Sequence, residues 1–305
     1  MSVCDACAAR SALLADLAGA IERLRLDRWQ LIGLLSLSDK RLMDAVGRNA
    51  PQPHARAKHS SCQAGVCRHD PDYPARLAEL DCPSAPFGAP AALHIAAERA
   101  ERLLDLLAHP VVAIVGSRES TYYGRDTATA LASDLAGAGV TMIGGLAEGI
   151  ETAAQQGALG AGGATIAVMA GAADVAYPIQ SDRVHMRVRE QGAVVSEMPT
   201  GWGPPRRWCF LARNRIIAAL ADAVIVVEAG ESAGTLFTAE LACRLGREVG
   251  VIPGRTSDRS ARGSNALLRD GAHVILDASD ALGLIGGARR LTDQNGRAGP
   301  VAAPR

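Results

Sequence analysis

The stretch Val111-Val-Ala-Ile-Val-Gly-Ser-Arg118 runs five apolar residues together and ends on a glycine, a hydroxyl and an arginine. A continuous apolar run of that length, with no polar alternation, reads as a strand covered on both faces. Further short apolar runs stand at 140–143, 165–169, 193–195, 223–227, 249–252 and 273–276. The gaps between them are long enough for helices, and most show alanine-rich helical spacing, as at 127–135 and 236–245. Strand, helix and strand repeated in this way predict an α/β domain, a Rossmann-like doubly wound, mostly parallel sheet with right-handed crossovers.

Open sheets of this kind bind ligands at the carboxyl ends of their strands. Glycine gathers there: Gly116-Ser117-Arg118 after the first run, Gly144-Gly145 after the second, and Gly230 to Thr235 after the fifth. Gly116, Ser117 and Arg118 combine a backbone turn, a hydroxyl donor and a guanidinium fork before a helix, which suits an anion. The same residues also make a plain strand-to-helix turn. Gly145 follows the same logic but lacks G-x-G-x-x-G spacing, and no Walker lysine is present, so a dinucleotide or P-loop site is not supported. Ser232, Gly234 and Thr235 open a helix with backbone amides and two hydroxyls, which fits either a phosphate or ordinary capping.

The segment 198–221 holds Arg206, Arg207, Arg213 and Arg215 without one carboxylate, together with Trp202, Trp208 and Phe210. Arginine interleaved with aromatics is the chemistry of single-stranded nucleic acid: forks for phosphate, flat faces for bases. The competing reading has the aromatics pinning the segment to the core and Arg213 and Arg215 pairing with distant carboxylates.

The whole chain of 305 residues balances 32 cationic against 32 acidic side chains, which excludes coating of nucleic acid by bulk charge. All but Lys40 and Lys58 of the cations are arginine, a bias that codon usage explains as readily as phosphate binding. Helical spacing at Leu13, Leu14, Leu17, Ile21 and Leu24 predicts a helical N-terminal domain, which with a polar linker covers residues 1–63. The Rossmann-like core is expected over 64–287 and a disordered tail over 288–305. An odd count of seven cysteines argues against a disulfide framework, and the start lacks a signal-peptide pattern. With no apolar run near ~20 residues, a cytoplasmic protein without a membrane span is expected. Cys4-x-x-Cys7 with Cys62-x4-Cys67 and His69 offers four-ligand chemistry. The unusual second spacing and the distance between the pairs weigh against it, so no metal is expected. Cys82, Cys209 and Cys243 read as small core hydrophobes. No G-x-S-x-G elbow is present, and His185 and His273 show no acidic partner at helical or strand spacing, so no catalytic residues are assigned.

Several motifs recur in a fixed order: Val112-Ala-Ile-Val-Gly-Ser-Arg118 with Tyr123-Gly124, Gly145-Leu-Ala-Glu-Gly-Ile150, Tyr177-Pro178, Ser196-Glu197, and Phe210-Leu-Ala-Arg-Asn-Arg-Ile-Ile217. Val226-Val-Glu-Ala229, Gly234-Thr-Leu-x-Thr-Ala239, Val251-Ile-Pro-Gly254 and Gly263-Ser-Asn265 complete the series. Together they resemble the DNA-processing protein DprA (Smf) family over roughly residues 65 to 285, and the cysteine-bearing N-terminus is similar to actinobacterial members. The resemblance implies a homodimeric protein that binds and protects single-stranded DNA and loads the recombinase RecA onto it in natural transformation and DNA recombination. It implies no catalysis and no cofactor. Carried over by motif, Gly116, Ser117, Arg118, Arg213 and Arg215 would hold phosphate, Phe210 would be a base platform, Asn214 a polar contact, and Ser232, Gly234 and Thr235 would line the same edge. Arg207, Trp208 and Gly145 join this set from the residue reading above.

The chain departs from the usual Ser-Gly-Leu-Ala-Arg-Gly-Ile-Asp pattern and its following histidine at Gly144, Glu148, Glu151 and Gln155, and has Leu211 where proline is usual. Glu148 in place of an arginine is expected to cost on the order of 1 kcal/mol toward a phosphate at exposed separations. The alternative is a nucleotide-binding or phosphoribohydrolase-like protein of the related Rossmann-like superfamily, with Glu148 and Glu151 as acid or base. That superfamily's Pro-Gly-Gly-x-Gly-Thr sequence is not matched.

Overall fold

A computed structural model describes residues 1–46, 64–82, 86–231 and 233–294, with side chains up to 286. The linker expected after residue 50 lies outside these residues, as do Cys62, Ser232 and 295–305. Three helices come first: α1 (Asp5–Arg23), α2 (Arg28–Leu35) and α3 (Asp39–Val46). Leucines at three- and four-residue spacing bury one side of α1. Asp27 starts α2 with a capping box: its carboxylate accepts from the amides of Trp29 and Gln30, while the Gln30 side chain accepts from the Asp27 amide.

The remainder builds β1 (Gly65–Cys67), α4 (Ala75–Ala78), β2 (Ala92–Ala96), α5 (Arg102–Leu107), β3 (Val111–Val115), α6 (Tyr122–Gly137), β4 (Thr141–Gly144), α7 (Ile150–Gly160) and β5 (Thr165–Val168). It continues with α8 (Asp182–Gln191), β6 (Ala193–Ser196), α9 (Arg207–Leu220), β7 (Ala223–Val226), α10 (Gly234–Arg244), β8 (Glu248–Val251), α11 (Arg262–Arg269), β9 (His273–Val274) and α12 (Ala278–Gln294). The sheet order is β1-β2-β6-β5-β4-β3-β7-β8-β9. From β6 to β9 every pairing is parallel, as the apolar runs predict, and β3 is the switch point from which the order grows in both directions. β3, β4, β5, β6 and β7 are buried throughout.

Three features differ from the expectation. β1 and β2 add an antiparallel edge, pairing Cys67 with Ala92 and His94 with Ser196. β9 is exposed at both residues, because it is the edge strand and has only one neighbour to cover it. α12 runs on to Gln294 through part of the stretch expected to be disordered, since Ala288, Arg289, Arg290 and Leu291 are strong helix formers.

The N-terminal helices pack onto the α/β core. Leu14, Leu17, Ile21, Leu31, Leu34, Leu42 and Val46 share one apolar cluster with Ala170, Met198, Trp208, Cys209 and Ala212. At the far end of α1, the backbone of Ser2 pairs with Ala64 ahead of β1. That pairing brings Cys4 and Cys7 beside Cys67 and His69, a grouping that the chain spacing had argued against. Cys209 is buried as expected, whereas Cys82 and Cys243 are exposed. His273 does find a carboxylate: its Nε2 lies 3.1 Å from Glu248 on the adjacent strand.

Candidate nucleic-acid interface

The C-terminal edge of the sheet opens into a cleft of about 1320 Å3. Its floor is the turn after β3, its walls are the first turns of α9 and α10, and its outer wall is the end of α1 with the start of α2. The cleft collects Gly116, Ser117, Arg118, Arg207, Trp208, Phe210, Arg213, Asn214, Gly234 and Thr235 of the expected set. Five arginines face three glutamates here, so the cleft is cationic in a neutral chain. Arg23, Arg25, Arg118 and Arg207 are exposed, leaving their forks open to solvent and to a ligand.

At the mouth, the Arg118 guanidinium lies over the Phe210 ring at 5.0 Å, and the Tyr177 ring packs against Phe210 at 5.8 Å with the two planes tilted by 49°. A half-buried ring held by a cation and a second ring is a platform pre-set for stacking. Tyr177 belongs to the site, and only the Tyr177-Pro178 motif hinted at it. Arg23 and Arg25 were missed because nothing in their local sequence says that the end of α1 reaches the sheet.

Three expected contacts are placed otherwise. Arg215 is wholly buried, with Nη2 donating to both Glu197 oxygens at 2.7 and 2.9 Å, Nε to the Gly88 carbonyl and Nη1 to the Ala212 carbonyl. Its donors serve the core, so it positions α9 instead of meeting phosphate. Trp208 lines the cleft with its edge but is buried, and its indole N–H donates to the Ala18 carbonyl at 3.1 Å. The ring therefore joins α9 to α1 and is no open base platform. Gly145 lies behind Arg213: a Cβ there would sit 0.5 Å from Arg213 Nη1. Glycine leaves free the volume that the guanidinium fills.

Arg213 is an intermediate case. It lines the cleft at 5% exposure, low enough that its placement is set by protein partners. Nη1 donates to the Val168 carbonyl at 3.2 Å and Nη2 pairs with Glu151 at 3.3 Å, while Nε has no partner among the described residues. Glu151 also accepts from the Gly145 amide at 2.7 Å. Of the departures from the family pattern, Glu151 is thus absorbed by Arg213. Gln155 is absorbed by the backbone: it accepts from the Leu146 amide and donates to Thr165 and to the Ile166 carbonyl. Those bonds hold Leu146 at φ 55°, a left-handed conformation costing on the order of 1–2 kcal/mol for a residue with a side chain. Glu148 is exposed and lies outside the cleft lining.

The helix N-termini around the edge are treated unequally. In dinucleotide-binding sheets the pyrophosphate sits at the first helix after the switch-point strand, which here is α6. That end is closed. Thr121 caps the Gly124 amide, the Glu228 carboxylate accepts from the Thr121 amide at 2.9 Å, and a Cβ at Gly124 would lie 2.5 Å from that carboxylate. At α9, the Trp208 amide donates to Glu22 at 3.4 Å. α10 has Ala233 as its N-cap, with no side-chain cap, and Thr235 donates its hydroxyl to the Gly116 carbonyl. The amides of its first turn lie beside exposed Gly234, on the cleft wall, where an anion is favoured.

Residues 64–286 match the family profile of DNA recombination-mediator protein A. The chain belongs to that family. A DNA processing protein DprA of Mycobacterium tuberculosis is 39% identical over 196 residues, covering 64% of this chain and 50% of the relative. The chain thus matches about half the length of that relative. The crystal structure of DNA processing protein A from Streptococcus pneumoniae superimposes with a TM-score of 0.65 at 36% identity, covering 72% of this chain and 73% of that one. The Helicobacter pylori protein, whose structure was described for its single-stranded DNA binding mode, gives a TM-score of 0.61 at 27% identity, covering 76% and 99%. Among the described residues no helix is long and apolar enough to cross a membrane.

Proposed function

We propose that the cleft at the C-terminal sheet edge seats a single DNA strand, with phosphates on Arg23, Arg25, Arg118, Arg207 and the α10 amides and a base against Phe210. The observation that carries this reading is the Arg118–Phe210–Tyr177 stack at the mouth of a cationic cleft. It pairs one fork with one flat face, the minimal unit of strand recognition without sequence readout. The closed end of α6 weighs against the nucleotide-binding alternative, because Glu228 already holds the place of a pyrophosphate. Family membership adds the further parts of the reading. The chain protects incoming single-stranded DNA, passes it to RecA in recombination and natural transformation, and works as a cytoplasmic homodimer without catalytic turnover.

Binding of fluorescent oligo-dT across a salt series tests the first part. Four exposed arginines predict a slope of log K against log salt of about −3, and Phe210→Ala should lose about 1–3 kcal/mol for the one stacked base. A flat salt response, or absence of oligonucleotide binding together with tight retention of a nucleotide, overturns the reading. Delivery is checked by RecA filament formation on strands already coated by a single-strand binding protein. Failure of this chain to speed nucleation refutes that part alone.

A further inference from the structure

The structure assigns a second site, at the opposite end of α1 from the cleft: we propose that Cys4, Cys7, Cys67 and His69 bind one zinc ion as a closed structural centre. The ligand atoms of all four residues lie within 4.8 Å of one another. His69 Nδ1 stands 3.3 Å from Cys4 Sγ and 3.5 Å from Cys7 Sγ. Tetrahedral zinc with Zn–S of about 2.3 Å and Zn–N of about 2.0 Å places sulfur and nitrogen about 3.5 Å apart. The four side chains are thus already arranged around the volume of one ion.

Local structure explains how they meet. Cys4 is the N-cap of α1 and Cys7 lies in its first turn, so the two-residue gap turns both sulfurs to one side. Cys67 ends β1, and the Asp70 amide donates to the Cys67 carbonyl at 2.7 Å, closing a tight turn that swings His69 back toward it. The Ser2 to Ala64 bridge lays the two segments side by side. Cys7 and Cys67 are buried against Ala91, Ala92 and Val3, giving the sulfurs an apolar backing, while His69 faces solvent. Hydrogen bonding alone does not account for the group, since one ring nitrogen cannot partner three thiols, and a disulfide would use only two of the sulfurs.

Three thiolates with one imidazole in a tetrahedral set select zinc among the common metals, and four protein ligands leave no open position for chemistry. On binding, the three thiols release their protons to solvent and nothing is oxidised or reduced. The site is a brace. It fastens the first turn of α1 to the β1 edge, while the last turn of α1 walls the cleft about 28 Å away along the same helix.

The test is elemental analysis of the full chain purified without chelator, with Cys243→Ser as a control that leaves the site intact. One zinc per chain is expected in both proteins. Loss of metal is expected in Cys4→Ser and in His69→Asn, the surface-side ligands chosen in case Cys67→Ser fails to fold. Cobalt substitution should yield the thiolate-to-cobalt absorption of a tetrahedral site, and chelation should lower the melting temperature. Only traces of metal, both as purified and after incubation with zinc chloride, would sink the proposal. So would full zinc content in the Cys4→Ser, Cys67→Ser double variant, or a mass two hydrogens lighter that marks a disulfide in its place.

Discussion

Two arginines two residues apart on α9 have opposite fates, and helix geometry dictates this. Successive residues turn by about 100°, so positions i and i+2 lie on nearly opposite faces. Arg213 lines the cleft from within, against Glu151 and Val168, and Arg215 points into the core. The same rule separates Phe210, at the cleft mouth, from Trp208, which is buried against α1. Arg215→Ala leaves the Glu197 carboxylate buried without its cation, at a cost of about 3–5 kcal/mol. Urea unfolding should show that loss, while any folded fraction keeps its DNA affinity. Arg118→Ala should do the reverse: an unchanged midpoint, weaker oligo-dT binding, and a salt slope shallower by about 0.7. Exposed Glu148 lies near the same edge without lining the cleft. Glu148→Arg is expected to tighten binding modestly at low salt, with the gain vanishing at high salt as screening shortens its reach. A gain that persists at high salt would place Glu148 in direct contact with the strand.

At the scale of elements, the parallel strands β3 to β8 were legible because burial on both faces demands unbroken apolar runs. β1 and β2 were not, since a three-residue edge strand has no period and His94 interrupts the run of its neighbour. The cleft floor was legible from the glycines at the strand ends, but its outer wall was not. Whether α1 meets α9 depends on Ala18, Trp208 and the leucines between, a contact between residues some 190 positions apart. α8 carries a pH-sensitive element of its own. His185 is buried, its Nε2 lies 2.9 Å from the Ala173 carbonyl, and burial, with Arg189 nearby, holds its pKa below the usual 6.5 against the opposing pull of that carbonyl, Asp182 and Asp174. The neutral ring is therefore favoured by folding, and the unfolded chain takes up a proton first as the pH falls. Stability should drop as pH falls through about 6.5 toward the lower folded value. His185→Gln should flatten that part of the thermal-stability profile.

On the scale of the whole molecule, the core and the N-terminal helices are one packed body with a shared apolar cluster. Deleting residues 1–63 is not expected to leave a neutral truncation. Trp208, Met198 and Ala212 would be uncovered, and the shortened chain should aggregate or melt well below the parent in a thermal-shift assay. A truncated protein as stable and monodisperse as the parent would contradict this packing. Yet the region shared with the family starts at residue 64, whereas Arg23, Arg25 and Leu31 of the cleft precede it. The sheet edge thus lies inside the matched region, and one wall of the groove lies ahead of it. With a strand seated in the groove as proposed, different helices set in this place would reshape the wall that meets it. A graft of another member's N-terminal helices, matched to the Trp208 seat, would then transplant strand affinity as a cassette and leave the sheet untouched.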